Sequence, residues 1–228
     1  MRVRSALRFF VTIASMPLPW SSRRWVLGRV CGYQLHAKSR IGLSWVAPAG
    51  LVLEEGASIG HFTVCKGLDL VHLKENARLG HLNWVTGFPA SSPSILFRHQ
   101  ADRRSEFVMG RHSAVTQRHL IDCTDSVTIG DFSVVAGYRS QIVSHSIDLQ
   151  YSRQGAGPVV IGAYCFVGTD SVVLGDSRLP DFSVLGAKSL LHKVHTEPYH
   201  LYAGVPARPI KRLQQSSKYF TRTVGFVD

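Results

Sequence analysis

The sequence predicts an all-β solenoid, a parallel β-helix of six-residue units, with a helical segment before it and a cap after it. Two observations predict this fold: aliphatic residues recur at every sixth position, and glycine often follows them. In the segment 157–193 the spacing holds without a slip, whereas an α-helix would repeat every three or four residues and a half-buried strand every two. The residues of this column are Ile161, Val167, Val173, Leu179, Leu185 and Leu191.

The same spacing returns in earlier tracts, with shifts of two residues between some of them. A short strand followed by a tight corner makes a unit of about six residues, and stacked units bury one aliphatic residue each in a continuous column. We expect the glycines to lie at the corners, where they would allow positive φ and close approach of neighbouring coils. A β-sandwich with accidental spacing would not keep so long a column in register. The earlier aliphatic positions include Ile41, Ala47, Leu53, Ile59 and Cys65, and the glycines are Gly42, Gly60, Gly80, Gly110, Gly130, Gly162, Gly168 and Gly186.

The repeat divides the chain into three parts. Residues 1–40 hold eight Arg or Lys and no Asp or Glu, so we expect a basic helical segment that packs on the body or touches an anionic membrane surface. A secretory signal peptide is the alternative, but Arg8 and Pro17 interrupt the apolar run that it would need. Residues 41–193 form the predicted solenoid, and residues 194–228 form a C-terminal cap and tail.

Two polar segments break the repeat inside the solenoid. Residues 88–104 contain Pro89 and Pro93, which predict a loop or an irregular corner. Residues 146–158 are polar and glycine-rich near their end, and they stand between two tracts in good register. We expect them to form a loop extruded from the body, and a loop held on a rigid scaffold is where a functional site is commonly built.

The formal net charge of +11 comes from the two ends of the chain, because residues 41–202 hold thirteen basic and fourteen acidic residues. Basic ends favour anionic partners such as a phosphorylated cofactor or lipid head groups, and no recognisable motif indicates a nucleic-acid partner. Cys31, Cys65, Cys123 and Cys165 form no CxxC pair, which indicates reduced thiols. Since no apolar run approaches about twenty residues, we expect a cytoplasmic protein whose basic N-terminus reaches the inner face of the membrane.

Three motifs in the C-terminal half carry a resemblance to a known family. PVVIGAYCFVGTDSVVL, VLGAKSLLHK and YAGVPARPIKR are similar to the C-terminal half of hexapeptide-repeat acyltransferases, and the likeness covers roughly residues 41–213. The resemblance implies a left-handed β-helix, a homotrimer with sites between neighbouring prisms, and acetyl transfer from acetyl-CoA to a hydroxyl or amine without a metal. VVAGYRSQIVSHSIDL and RHLIDCTDSVTIGD look most like members that decorate bacterial surface or extracellular polysaccharides.

By this resemblance His145, just before the extruded loop, is the catalytic base. A neutral imidazole takes the proton of a sugar hydroxyl as that hydroxyl attacks the thioester. A carboxylate or carbonyl should orient the ring, but where relatives often carry a Glu this chain has Gln154. Asp148 is one candidate for the orienting group, and its alternative role is to cap the loop. His119 and Asp122 form a second polar cluster, in which His119 would bind the acceptor, share in proton transfer, or simply occupy a surface corner.

The resemblance places the acyl donor on a separate set of residues. Small residues let backbone groups approach the thin pantetheine arm, and basic side chains make charge-assisted contacts with phosphates. The family usually has Gly-Asn-Pro-Ala-Lys where residues 204–208 of this chain read GVPAR, so one side-chain hydrogen bond of the turn is lost. The predicted donor residues are Gly168, Thr169, Gly186 and Ala187 for the pantetheine arm, and Lys193, Arg208 and Lys211 for the phosphates.

We therefore expect an acetyl-CoA-dependent O-acetyltransferase that acts on a sugar hydroxyl of a surface or exported polysaccharide, or of its lipid-linked precursor. A nucleotide-sugar N-acetyltransferase and a trimeric scaffold without catalysis are the alternatives that stay open. A zinc carbonic anhydrase of the same fold would need an H-x4-H pair within the coils. The one such pair in this sequence, His195 and His200, follows the last predicted coil.

Overall fold

The fold is a prism with three β-sheet faces, around which the chain winds one strand at a time. The computed structural model describes residues 2–225 and 227, and the order of the strands places successive strands of a coil on successive faces. Strands of neighbouring coils pair in parallel and without a shift of register, as in Phe107↔Val127 and Ile129↔Ile161. The predicted parallel β-helix of six-residue units is therefore confirmed.

Two helices, α1 (Arg2–Ala14) and α2 (Trp20–Cys31), precede the coils. Face A contains β1 (Gln34–Leu35), β4 (Gly50–Leu53), β7 (Leu70–Leu73), β10 (Glu106–Met109), β13 (Val127–Ile129), β18 (Val159–Ile161) and β21 (Ser177–Leu179). Face B contains β2 (Arg40–Ile41), β5 (Ser58–Ile59), β8 (Arg78–Leu79), β11 (Ala114–Val115), β14 (Val134–Val135), β19 (Phe166–Val167), β22 (Val184–Leu185), β24 (His200–Ala203) and β25 (Arg208–Arg212). Face C contains β3 (Trp45–Ala47), β6 (Val64–Lys66), β9 (Trp84–Thr86), β12 (Leu120–Asp122), β15 (Gln141–Val143), β20 (Val172–Leu174) and β23 (Leu190–Leu191). Outside the faces lie an antiparallel hairpin, β16 (His145–Asp148) and β17 (Arg153–Ala156), and the C-terminal helix α3 (Lys218–Thr221).

The aliphatic column lies inside the prism. Its six members from Ile161 to Leu191 are each at most 1% exposed, and burial of one such side chain stabilises the fold by about 1.5–3 kcal/mol. The column is longer than predicted, because Leu35 in β1 stands six residues before Ile41, and β24 adds a parallel strand beyond residue 193. The inward residue of β24 is Tyr202, which is buried. Because this residue is aromatic, a search for aliphatic residues at every sixth position does not predict the last strand.

The glycines that follow the aliphatic positions have only one of the two roles predicted for them. All eight are in the described part of the chain, and none of them has a positive φ. Their role is close approach: a Cβ added to Gly60 would lie 2.6 Å from the carbonyl carbon of Gly80, and one added to Gly168 would lie 2.5 Å from Ala187 N. For seven of the eight glycines positive φ occurs instead two residues later, at side chains that turn the corner: Phe62, Leu82, His112, Phe132, Tyr164, Asp170 and Lys188. Phe182, two residues after Pro180, and Tyr199 have the same conformation.

Five of the residues at such corners form an aromatic ladder along one edge of the prism. Neighbouring rings stack with centroids 4.8–5.3 Å apart, in the order His112, Phe132, Tyr164, Phe182 and Tyr199. The C-terminal segment from α3 onward covers this ladder: the Tyr219 hydroxyl donates to Cys165 O at 2.9 Å, and the Arg222 guanidinium donates to Phe132 O. The predicted cap therefore includes a strap of chain that runs back along several coils.

Helix α1 packs on the first strand of face C. The Phe9 ring meets Trp45 edge to face at 5.1 Å, and the Arg8 guanidinium donates to Pro48 O at 2.9 Å. Thr12 on the same side is fully buried. None of the helices in the described residues is long and apolar enough to cross a membrane. The outer side of α1 is apolar and exposed at Leu7, Phe10 and Ile13.

Candidate active site

The structure brings His145 and Asp122 together where the hairpin leaves the prism. Asp122 is the last residue of β12, and His145 begins β16 one coil later. The distance between His145 Nδ1 and Asp122 Oδ2 is 2.7 Å, and the two side chains are 45% and 10% exposed. An imidazole is thus anchored on its protected side and open to solvent on the other.

Asp122 is held in place by neighbours from two coils. Its Oδ2 accepts hydrogen bonds from the Ser144 backbone N–H at 3.1 Å and from the Ser144 hydroxyl at 2.9 Å. Its Oδ1 accepts from the Thr124 hydroxyl at 2.7 Å. An ionised carboxylate only accepts hydrogen bonds, so Nδ1 of His145 carries the proton and Nε2 of the neutral ring presents its lone pair to solvent. A general base requires this tautomer.

The hairpin determines which side chains share the side of His145. The register of β16 with β17 pairs His145 with Ala156 and Ile147 with Gln154. Residues that lie opposite each other in an antiparallel pair, and residues two apart in a strand, point to the same face. These four residues therefore share one face of the hairpin, and Asp148 lies on the other.

Asp148 does not reach the imidazole. Its Oδ1 accepts from the backbone N–H groups of Gln150 and Tyr151 at 3.0 and 3.2 Å, and its Oδ2 lies 3.5 Å from Arg153 Nε. Asp148 thus stabilises the turn of the hairpin, the second of the two roles predicted for it. Three residues separate it from His145, and alternation along a strand puts such residues on opposite faces.

His119 is not part of this pair, although it stands three residues before Asp122. It is 2% exposed. Its Nδ1 accepts from the Ser140 N–H at 3.2 Å, and its Nε2–H donates to the Thr116 hydroxyl at 3.0 Å. Burial lowers the pKa of His119 from 6.5 to about 4. Both ring nitrogens are occupied, so in this structure the side chain braces a coil. The surface corner predicted for His119 is wrong, because the side chain is buried, and its role towards the acceptor stays a prediction.

The segment 88–104, to which the sequence assigned no role, contacts the hairpin. The Gln100 side-chain amide donates to Ala156 O at 2.7 Å, and its oxygen accepts from Ala156 N at 2.9 Å. Ala156 is the cross-strand partner of His145. One side chain therefore binds both backbone groups of the residue that lies beside the candidate base.

The same segment also supports the corner that carries Asp122. Arg103 is buried, and its guanidinium donates to Thr124 O and to Pro89 O and lies 4.5 Å over the Phe97 ring. Burial lowers the pKa of Arg103, and nearby Asp carboxylates, Asp122 among them, oppose that shift. Thr124 in turn donates to Asp122. The segment 88–104 therefore supports both members of the His145–Asp122 pair: His145 through its strand partner Ala156, and Asp122 through Thr124.

The predicted donor residues lie on coils that follow His145. The Gly168 N–H donates to Leu185 O and the Gly186 N–H to Tyr202 O, both at 2.8 Å, so these corners stack along the edge between faces B and C. Thr169 binds the backbone of Tyr138 with its hydroxyl, and Ala187 is exposed. Arg208 pairs with Ala203 and Lys211 with Leu201 at the same end of the prism, whereas Lys193 follows β23 at the edge between faces C and A. All three basic side chains are exposed.

The cysteines offer no competing nucleophile. All four are free, and three are buried. Burial raises the pKa of the Cys65 and Cys165 thiols to about 12, and that of Cys31 and Cys123 also rises. A thiol reacts as its thiolate, so these groups stay inert. Within the described residues, no three potential metal ligands come together either.

No family model matches the sequence, and no curated protein matches it either. Solved structures match over most of the chain. The polysialic acid O-acetyltransferase OatWY has a TM-score of 0.60 and 13% identity over 84% of this chain and 90% of that one. A variant of AntD, an N-acyltransferase from Bacillus cereus in complex with dTDP and coenzyme A, has a TM-score of 0.51 and 16% identity over 77% and 83% of the two chains. A hexapeptide-repeat acetyltransferase from Vibrio cholerae has a TM-score of 0.50 and 16% identity over 93% and 92%. At these identities the likeness shows the fold: the chain is a left-handed parallel β-helix of the hexapeptide-repeat type.

Proposed function

We propose that the protein is an acyltransferase that moves an acetyl group from acetyl-CoA to a sugar hydroxyl, with His145 as the general base and Asp122 as its orienting group. The observation that carries this proposal is the 2.7 Å contact between His145 Nδ1 and Asp122 Oδ2, with Nε2 open to solvent. The acceptor is a polysaccharide or its precursor. The likeness of the fold to acetyltransferases, one of which by its name acts on polysialic acid, supports the reaction class.

The geometry supports a direct transfer. His145 Nε2 takes the proton of the sugar hydroxyl while the hydroxyl oxygen attacks the thioester carbonyl carbon. The Asp122 carboxylate stabilises the imidazolium that forms. As the tetrahedral intermediate collapses, the C–S bond breaks, and the imidazolium returns its proton to the departing thiolate. The products are the acetylated sugar and coenzyme A, and no covalent enzyme intermediate is needed.

The donor lies, in this proposal, along the coils that follow His145. Gly168 and Gly186 keep the edge of the prism narrow enough for backbone groups to approach the pantetheine arm. The exposed basic residues Lys193, Arg208 and Lys211 stand at the end of the prism where the phosphates would lie. Arg208→Ala should weaken acetyl-CoA binding, and an unchanged affinity would place the phosphates elsewhere.

We further propose that the protein is a homotrimer that touches an anionic membrane surface. The hairpin exposes Ile147, Leu149 and Tyr151, and a neighbouring prism would cover them. The outer side of α1 is apolar at Leu7 and Phe10 and belongs to a segment rich in arginine, which suits an anionic interface. Sedimentation equilibrium tests the trimer, and a monomer at micromolar concentration would contradict it.

The proposed function is tested by combining binding with turnover. Calorimetric titration with acetyl-CoA should show saturable binding to wild type and to His145→Ala alike, because His145 contacts the acceptor hydroxyl. Release of the coenzyme A thiol in the presence of an acceptor should fall by about 10²–10⁴ in His145→Ala. His36→Ala, an exposed histidine in the first coil, is the matched control and should keep wild-type turnover.

Two outcomes would contradict the proposal. A folded protein that binds no acetyl-CoA would favour the scaffold without catalysis. Normal turnover in His145→Ala would remove this residue from the mechanism. The acceptor panel should include amino sugars, since acetylation of the amine alone would favour the N-acetyltransferase over the O-acetyltransferase.

A further inference from the structure

The outer side of face C continues from Asp122 towards the first coils in two rows of side chains. The strand register aligns Asp122 with Thr86, and Thr86 with Lys66. The neighbouring row aligns Trp84 with Val64, and Val64 with Trp45. Neighbouring strands lie about 4.8 Å apart, so the Cα of Lys66 is about 10 Å from that of Asp122 on the same surface.

The ammonium group of Lys66 lies between two indole rings. Its Nζ is 5.3 Å from the centroid of Trp45 and 5.4 Å from that of Trp84. The salt bridges of the described residues all lie elsewhere, so no carboxylate among those residues forms an ion pair with this ammonium group. Cation–π contact alone is worth about 0.5–1 kcal/mol at an exposed site, and it leaves the three N–H donors of the ammonium free.

The two tryptophans are not equivalent. The Trp45 ring is covered by Phe9 of α1 at 5.1 Å. Trp84 is 47% exposed and therefore offers a flat apolar surface beside the cation. Thr86, in the strand of Trp84, adds a hydroxyl between this surface and Asp122. A flat aromatic ring, a hydroxyl and an unpaired ammonium on one surface match the C–H face, the hydroxyls and the carboxylate of an acidic sugar ring.

The position on the prism also separates this surface from the donor. Gly168 and Gly186 lie on coils that follow His145, whereas Lys66 and Trp84 lie on coils that precede it. We propose that Trp84 and Lys66 form an acceptor subsite for a carboxylate-bearing sugar residue, which neighbours the residue that receives the acetyl group. The proposal rests on the proposed function, and it names the acceptor as an acidic oligosaccharide or polysaccharide.

The subsite is tested by direct binding, which needs no turnover. Trigalacturonate, its methyl ester and maltotriose are titrated into wild type, with quenching of tryptophan fluorescence as the readout. We expect saturable binding of trigalacturonate, at least tenfold weaker binding of the uncharged ester and of maltotriose, and at least a tenfold higher Kd for trigalacturonate in Lys66→Met. Trp84→Ala should weaken the acid and the ester alike, because it removes the stacking surface and leaves the charge.

The control is Lys74→Met, which removes the same charge at a corner between faces A and B and should keep wild-type affinity. Equal binding of acid and ester, equal binding by Lys66→Met, or no binding of trigalacturonate to wild type would each overturn the subsite. Acetyl-CoA titration of the same samples keeps the two proposals apart. If Lys66→Met transfers acetyl groups to every acceptor at the wild-type rate, the subsite is overturned and the proposed function still stands.

Discussion

The substitution Asp122→Asn tests the candidate site most directly, because it removes a charge while preserving shape. The carboxylate accepts four hydrogen bonds, from Thr124, from two groups of Ser144 and from His145. An amide has a single acceptor oxygen. We expect that oxygen to take the Oδ2 position, since three of the four donors, including a backbone N–H, point there.

In that orientation the imidazole keeps its tautomer but loses the charge that stabilises its protonated form. A hydrogen bond to a charged group is worth about 1.5–3 kcal/mol, against about 0.5–1.5 kcal/mol for a neutral pair. The difference between the middles of these ranges, about 1.25 kcal/mol, lowers kcat by about eightfold. If the amide instead turned its NH2 towards His145, the ring would adopt the wrong tautomer, and the loss would approach about 10⁴.

The assay is release of the coenzyme A thiol at saturating acetyl-CoA and acceptor. The KM for acetyl-CoA should not change, because the Asp122 side chain contacts Thr124, Ser144 and His145 and none of the predicted donor residues. Asp148→Asn is the matched control: it removes the same charge from the other face of the hairpin and should change kcat by less than about threefold, since it loses only turn contacts. A wild-type kcat in Asp122→Asn, or an equal loss in Asp148→Asn, would refute the assignment of the orienting group.

Three further predictions follow from the contacts around the site and from α1. Gln100→Ala should lower kcat by about tenfold and speed hydrogen exchange at the Ala156 amide while leaving acetyl-CoA affinity intact; normal exchange with normal turnover would show that the insertion does not brace the hairpin. His119 has a pKa of 6.5 in the unfolded chain and of about 4 in the folded chain, because burial disfavours the charged ring. Between these two pH values the unfolded chain binds one more proton, so the contribution of His119 to the free energy of unfolding is complete above pH 6.5 and is lost as the pH falls towards 4. The loss reaches about 3 kcal/mol, and urea unfolding of wild type and His119→Asn should differ by that pH dependence; parallel curves would contradict it. Phe10→Ser should weaken binding to anionic lipid vesicles with no change in turnover on a water-soluble acceptor, and unchanged vesicle binding would exclude α1 as the contact surface.

The repeat could be predicted from sequence because its cause is local. One aliphatic residue per six positions suffices to define one strand and its corner, a third of a coil, and buried residues keep this spacing over long tracts from Ile41 to Leu191. The ends were harder: Tyr202 fills the last inward position with an aromatic ring. The spacing correctly predicts that the glycines allow close approach of neighbouring coils. Positive φ occurs two positions later, because a three-sided coil turns at side chains such as Phe62 and Phe132.

The site depends on contacts that no short pattern encodes. Gln100 meets Ala156 across 56 positions of sequence, and Arg103 supports Asp122 through the carbonyl of Thr124. Nothing in the sequence of the segment 88–104 indicates that these two side chains form hydrogen bonds with distant backbone groups. The sequence alone argues against Asp148 as the orienting group, since alternation in an extended segment places Asp148 and His145 on opposite faces.

The strap at the C-terminus changes how the molecule can come apart. In a plain solenoid each coil contacts only its neighbours, so the stack can unravel one coil at a time from either end. Here the Arg222 guanidinium binds Phe132 O and Tyr219 binds Cys165 O, so the segment that leaves the last coil is attached to two earlier coils that do not touch that last coil. Opening the last coil therefore strips support from coils far below it. We therefore expect the second half of the prism, which includes the coil of His145, to unfold as one cooperative unit rather than in steps.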